Sequence, residues 1–168
     1  VIPMAGRGRR FAEAGYAVPK PFVRVADRPM YECVIANVRP GVDHRFILMV
    51  QASDFRHLGN CAGMTVVGVD GVTEGAACTV LLAKHIIDTT DPLMIVNSDQ
   101  VIDWNVNDFL GLTRRWPMGA IATFRSSEPQ YSYVRVESAV VREVAEKRVI
   151  SDRATAGAYW WGYGADFV

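Results

Sequence analysis

The stretch VIPMAGRGRRF (Val1–Phe11), followed by PKPF at Pro19–Phe22, decides how the chain is read. Val1–Pro3 reads as the end of a buried strand, and the segment Ala5-Gly6-Arg7-Gly8-Arg9-Arg10 follows it almost at once. A glycine-rich loop after a strand can turn successive backbone N–H groups toward an anion, and guanidinium groups can pair with the same oxygens. Three phosphate-binding patterns compete for it. GxxxxGK[ST] occurs nowhere in the chain. GxGxxG needs a third glycine where Phe11 stands, although Asp27 lies about twenty residues on, the spacing of an acidic ribose contact. The third pattern is G-x-G-x-R, a loop, and then Lys-Pro, met by Gly6, Gly8, Arg10 and Pro19-Lys20-Pro21. A GxG alone equally suits a flexible surface turn; the arginine and the lysine between two prolines give the pattern its specificity.

Outward from that loop, the composition sets limits. The chain has 168 residues, 50% hydrophobic and 21% charged, which fits a single folded domain over 1–168 and excludes a disordered or low-complexity protein. Eighteen Lys and Arg balance eighteen Asp and Glu, so overall charge gives no reason to expect a nucleic acid or a membrane as partner. The imbalance is local: residues 1–30 hold Arg7, Arg9, Arg10, Lys20, Arg24 and Arg28 against Glu13 and Asp27. No apolar run approaches the roughly 18–20 residues of a membrane span, and no charged-then-apolar leader opens the chain, so a cytoplasmic protein is expected. Val1 already lies inside an apolar stretch, so the natural chain is expected to begin a few residues earlier. Cys33, Cys61 and Cys78 are widely spaced without a CxxC and read as reduced, buried thiols.

Patterning predicts alternating elements. Strands are expected at Val1–Pro3, Arg45–Gln51, Met64–Val69, Leu93–Asn97 and Gly119–Phe124, and helices from Pro29, over Gly75–Asp88 and over Asn105–Trp116. A helical turn is expected at Phe11–Ala14, and Ser53 is expected to cap a short helix through Leu58. Beyond residue 124 the pattern turns to β at Ser132–Glu137, Val140–Val144 and Ala156–Trp161. The whole predicts an α/β fold, a three-layer sandwich with a mostly parallel central sheet covered by helices on both faces. In such sheets ligands bind beyond the carboxyl ends of the strands, so the loops after Pro3, Gln51, Val69 and Asn97 are expected on one rim.

With these residues in place the chain resembles the sugar-phosphate nucleotidyltransferases, the group that includes glucose-1-phosphate thymidylyltransferase. The likeness runs in order through MAGRGRRF, PKPF, TEGAACTVLLA, IVNSDQVID, VAEK and ATAGAYWW, nearly the whole chain. The resemblance implies a nucleotide-diphospho-sugar transferase-like fold with a nucleotide-binding half over about 1–115 and a β-rich acceptor-side half over about 116–168. It implies an enzyme that joins an NTP to a sugar phosphate, releasing pyrophosphate, with Mg²⁺ as cofactor and a role in nucleotide-sugar and polysaccharide synthesis. Arg9 stands where the family usually has Ser or Thr, and the family's second metal-binding Asp has no assigned place here.

The implied reaction sets the residue roles. An ionised phosphate oxygen attacks the α-phosphorus, so positive charge and positioning matter more than a general base. Arg10 is the candidate for the β- and γ-phosphates, with Ala5, Gly6, Arg7, Gly8 and Arg9 as their cradle. Lys20 is the candidate to hold the α-phosphate beside the incoming one. Asp99, directly after an apolar strand, is the candidate Mg²⁺ ligand, and a cap or turn role is the plain alternative. Asp103 is a second ligand or a cap, with the cap favoured. Glu74 and Gly75 are the candidates for the nucleobase pocket, with Gln51 and Asp70 able to read the base edge. Glu146 and Lys147 resemble the family's acceptor-binding pair, although an exposed pair at a strand end fits the same spacing. Tyr131, Tyr133, Tyr159, Trp160 and Trp161 wall the acceptor pocket or belong to the core; His44, His57 and His85 receive no chemistry. An NTP and a phosphorylated small acceptor are the expected partners, with a homo-oligomer left open. Two other readings stand beside this one: a cytidylyltransferase acting on a phosphorylated alcohol, and a nucleotide-binding regulator without catalysis.

Overall fold

The computed structural model describes residues 1–116 and 118–168. Its organising strand is β4 (Ile47–Gln51), part of the run RFILMVQ, whose residues 47–50 are all buried. Apolar side chains on both faces demand cover on both faces, and two packed clusters supply it. Phe46, Leu48 and Val50 join Ile2, Tyr31, Val34 and Val38 on one face. Ile47 and Met49 join Val80, Ala83, Ile87, Leu93 and Ile95 on the other. Helix α2 (Met30–Asn37) therefore covers one side, and helices α3 (Ala76–Leu81) and α4 (Lys84–Ile87) cover the other. This is the expected three-layer α/β arrangement.

Strand β1 (Ile2–Pro3) pairs parallel with β4, which pairs parallel with β5 (Thr65–Val69). On its other edge the chain before β1 meets β6 (Leu93–Val96): the Val1 nitrogen donates to the Met94 carbonyl at 2.6 Å, and the Val96 N–H donates to the Val1 carbonyl at 3.0 Å. Beyond β6 the sheet becomes antiparallel. Strand β10 (Arg153–Trp161) pairs with β6 along one edge and with β7 (Ala120–Arg125) along the other. Where β6 ends, β8 (Tyr133–Glu137) takes over its edge of β10 and carries β9 (Val140–Ala145) with it. The parallel part of the sheet is thus the first half of the chain, and the ribbon β8–β9 stands beyond the carboxyl end of β6.

Local details depart from the sequence reading. Pro29 stands one residue before α2, as the last residue of a two-residue strand β3 (Arg28–Pro29) paired with β2 (Arg24–Val25), a hairpin the sequence did not signal. Residues Gly75–Asp88 form two helices, because the chain tightens around the fully buried Ala83, whose carbonyl accepts from both Ile86 and Ile87. Ser53 does not cap; it lies inside the 3-10 turn Ala52–His57 and its hydroxyl donates to Asp54. The cap of α5 (Val106–Thr113) is Asn105, whose Oδ1 accepts from the Asn107 N–H at 3.0 Å, so Asp103 is not that cap. The helical turn near Phe11 is α1 (Arg9–Glu13). Of the cysteines, Cys78 is exposed and Cys33 and Cys61 half-buried, all with free thiols. No helix among the described residues is long and apolar enough to cross a membrane.

Candidate functional site

The loops at the carboxyl ends of the parallel strands do share one rim, and polar contacts tie them together. Lys20, in the loop after β1, forms an ion pair with Asp99, in the turn after β6; about 28% and 30% of the two side chains remain exposed. Gln51, at the end of β4, donates from Nε2 to the Ala5 carbonyl at 2.8 Å and to the Gly71 carbonyl at 2.5 Å. It thereby fastens the glycine-rich loop to the loop after β5. Its amide protons are spent on these two carbonyls, so only its Oε1 is left to meet a nucleobase.

Lys20 is held from behind. Prolines 19 and 21 fix φ on both sides of it, and the next residues, Pro21 and Phe22, are buried. The Phe22 ring meets Tyr31 edge-on at 5.6 Å and lies 5.3 Å from His57. The ammonium lies 5.4 Å from the centre of the Phe11 ring, a cation–π distance. Gly8 backs the lysine stem: its φ is +54°, and a Cβ there would stand 3.1 Å from Lys20 Cβ. A side chain at position 8 would therefore meet a strained backbone and displace the lysine at once.

A cavity of about 440 Å³ opens between this loop and the 3-10 turn after β4, lined by Ala5, Gly6, Arg7, Gly8, Lys20, Gln51, Arg56 and His57 among others. Arg7, Arg9 and Arg10 have no ion-pair or hydrogen-bond partner for their guanidinium groups among the described residues, whereas Arg28 is paired with Asp27. The rim thus presents unneutralised positive charge to an anion. Arg9 and Arg10 belong to α1 and do not line the cavity; Arg7 does. Arg56 and His57 are wall residues that the sequence reading missed; the segment Ser53-Asp54-Phe55-Arg56-His57, polar but for Phe55 and close behind a strand end, was the available signal. A larger cavity, about 840 Å³, lies at the opposite ends of the strands beside Val1, Arg45 and Leu93; of the residues considered for the site, only Trp160 lines it.

Glu74 and Gly75 stand exposed at the start of α3, with the Gly75 carbonyl accepting from Thr73 and Thr79 and open space where a Cβ would be. Asp70 is exposed in the loop after β5. Glu146 and Lys147 follow β9 and pair with each other at 3.0 Å, both exposed. Sheet register bears on their place: Ala158 pairs with Val96, whereas Ala154, four residues nearer the start of β10, pairs with Tyr133, which in turn pairs with Ala145. The Glu146–Lys147 turn thus lies on the side where the chain leaves β6, with no direct bond to the Lys20–Asp99 pair among the described residues. Of the aromatic residues, Tyr133 is fully buried and donates to the Glu128 carbonyl at 2.6 Å, Trp160 is buried, and Trp161 packs on Phe167 in the second core cluster. Tyr131 stacks edge-on with Phe124, and Tyr159 donates to Thr155.

For a divalent cation the donor set is sparse. No group of three or more His, Cys, Asp or Glu side chains that could hold a metal occurs among the described residues. Asp99 offers one carboxylate, with Oδ2 on Lys20 and Oδ1 without a hydrogen-bond partner among the described residues. A single carboxylate fits Mg²⁺ only where phosphate oxygens and water complete the shell, the usual arrangement at nucleotide sites.

Comparison with known proteins agrees with this fold. The family model for nucleotidyl transferases matches residues 1–165. No curated protein sequence matches the chain. A crystal structure assigned to glucose-1-phosphate thymidylyltransferase from Bacillus anthracis, with sucrose, superposes with a TM-score of 0.82 at 15% identity, over 99% of this chain and 71% of that one. A nucleoside-diphosphate-sugar pyrophosphorylase from Vibrio cholerae RC9 gives 0.77 at 23% identity, over 99% and 74%. A UDP-glucose pyrophosphorylase complexed with UDP-glucose gives 0.78 at 14% identity, over 96% and 74%.

Proposed function

The chain belongs to the nucleotidyl transferase family, and from that premise we propose that it transfers a nucleotidyl group from an NTP to a sugar phosphate, giving an NDP-sugar and pyrophosphate with the help of Mg²⁺. The observation that carries this reading is the convergence of Lys20 and Asp99 on one rim, beside a glycine-rich loop whose arginines have no partner among the described residues. The acceptor's phosphate oxygen forms a bond to the α-phosphorus while the bond from that phosphorus to the β-phosphate oxygen breaks. The electron pair leaves with pyrophosphate. The nucleophile is already an anion, so no base has to take a proton. The difficulty is anion repulsion and charge on the leaving group, and preorganised cations answer both.

Lys20 serves this by bridging the α-phosphate and the incoming phosphate. Arg10, with the 5–9 backbone and the Arg7 and Arg9 side chains, receives the β- and γ-phosphates. Glu74 and Gly75 border the base, and Gln51 holds the two loops that flank it. Glu146 takes hydrogen bonds from acceptor hydroxyls, and Lys147 meets the acceptor phosphate. Asp99 Oδ1 would hold the Mg²⁺ together with phosphate oxygens; when bound, the cation offsets α-phosphate charge. Lys20 must turn from Asp99 toward phosphate as substrate arrives, which a pair still open to water permits at little cost. We place this reaction in the cytoplasm and in nucleotide-sugar supply for polysaccharide synthesis.

The test is release of pyrophosphate from four NTPs against a panel of sugar phosphates and phosphorylated alcohols. Release that requires both Mg²⁺ and a sugar phosphate is expected. Release only with CTP and an alcohol phosphate would reassign the acceptor, and nucleotide binding without release would contradict catalysis.

A further inference from the structure

Resting on the reading of Asp99 as the carboxylate that faces the triphosphate, we propose that Asn97, Gln100 and Gly157 form a lock that sets the position of Asp99. The chain leaves β6 at Asn97, whose N–H donates to the Gly157 carbonyl at 2.8 Å. Its side-chain Nδ2 donates to Gln100 Oε1 at 2.9 Å. The residues on either side of Ser98-Asp99 are thus tied to each other, and the first of them to β10.

Gly157 makes this possible. It lies in the register shift of β10 against β7 between Thr155 and Tyr159, with φ +69°, a conformation that side chains rarely adopt. A Cβ there would stand 1.7 Å from Gln100 Oε1 and 2.6 Å from Asn97 Nδ2. The two amides therefore occupy the space that any other residue at 157 would fill. Gly157 is buried and Asn97 and Gln100 are half-buried, so their bond is partly sheltered from competing water.

The consequence is directional. Asp99 is fixed from below by the lock and met from the front by Lys20, which itself rests on Gly8. Displacement of a catalytic group by about 1 Å can cost about a hundredfold in rate, so a turn with only its own backbone to hold it would be a poor support. Asn97, Gln100 and Gly157 are positioning residues; they act on substrate only through Asp99.

The experiment measures amide hydrogen exchange over residues 97–101, melting temperature, and kcat and KM for pyrophosphate release in the full chain and in Gln100→Ala. We expect exchange there at least about tenfold faster, a melting temperature within a few degrees, and kcat lowered at least about tenfold with the NTP KM within about threefold. Gln100→Glu, which keeps an acceptor for Asn97 Nδ2, should restore slow exchange. Unchanged exchange in Gln100→Ala would overturn the lock, whatever the turnover. Faster exchange with unchanged kcat would overturn its positioning role. If the parent chain releases no pyrophosphate at all, the functional reading fails separately, and the exchange data still judge the lock.

Discussion

Lys20 is aimed by its neighbours rather than by a single strong contact. Two prolines fix its backbone, buried Phe22 anchors the turn, Gly8 backs its stem and the Phe11 ring meets its ammonium. The loop arginines are the opposite case: exposed, and without a side-chain partner among the described residues. Arg10→Ala is therefore expected to raise the NTP KM about tenfold, the loss of one charge-assisted contact, while kcat falls much less. Steady-state kinetics at varied NTP would show this, and an unchanged KM would remove Arg10 from the phosphate site. The thiols also differ by surroundings. Burial pushes the Cys61 thiol above the usual range, and the Glu32 carboxylate adds to the shift. Less thiolate is then present near pH 8, so Cys61 should alkylate more slowly than exposed Cys78, with the gap narrowing as pH rises. Mass spectrometry after timed iodoacetamide treatment reads this directly.

At the level of elements, the ribbon β8–β9 carries Glu146 and Lys147 on the side where the chain leaves β6. Lys147→Ala should raise the KM for the phosphorylated acceptor about tenfold with the NTP KM unchanged. Equal effects on both substrates would contradict an acceptor role. How much of this was legible follows from the kind of signal each element leaves. RFILMVQ announced β4 because a strand buried on both faces must be continuously apolar. The common rim followed from parallel topology alone, and the Lys20–Asp99 and Gln51 contacts bear it out. The β2–β3 hairpin was silent because its strands have two residues each and its turn places Ala26, not glycine, at φ 55°. The break after Leu81 was silent because tertiary packing of Ala83, with no Pro or Gly nearby, ends the helix. The bonds of Gln51 and the lock at Gly157 join residues distant in sequence, and no spacing rule reports such pairs.

For the molecule as a whole, the two apolar clusters share one sheet. Alternate residues of β4 feed one and then the other, and Leu48 and Met49 are both fully buried. Leu48→Ala and Met49→Ala should each cost about 2–5 kcal/mol, although they lie on opposite faces. Because neither layer can open without exposing the sheet, we expect one cooperative unfolding transition across residues 1–168, seen by calorimetry. Two separated transitions would argue for two domains. The rim chemistry depends on this shared sheet, since Lys20 follows β1 and Asp99 follows β6. The most direct measurement is pyrophosphate release by Lys20→Ala and Asp99→Ala beside the parent chain, with melting temperatures recorded. Each substitution should lower kcat at least about a hundredfold in a folded protein. Near-parental turnover in either variant would contradict the convergence of these two side chains on a triphosphate.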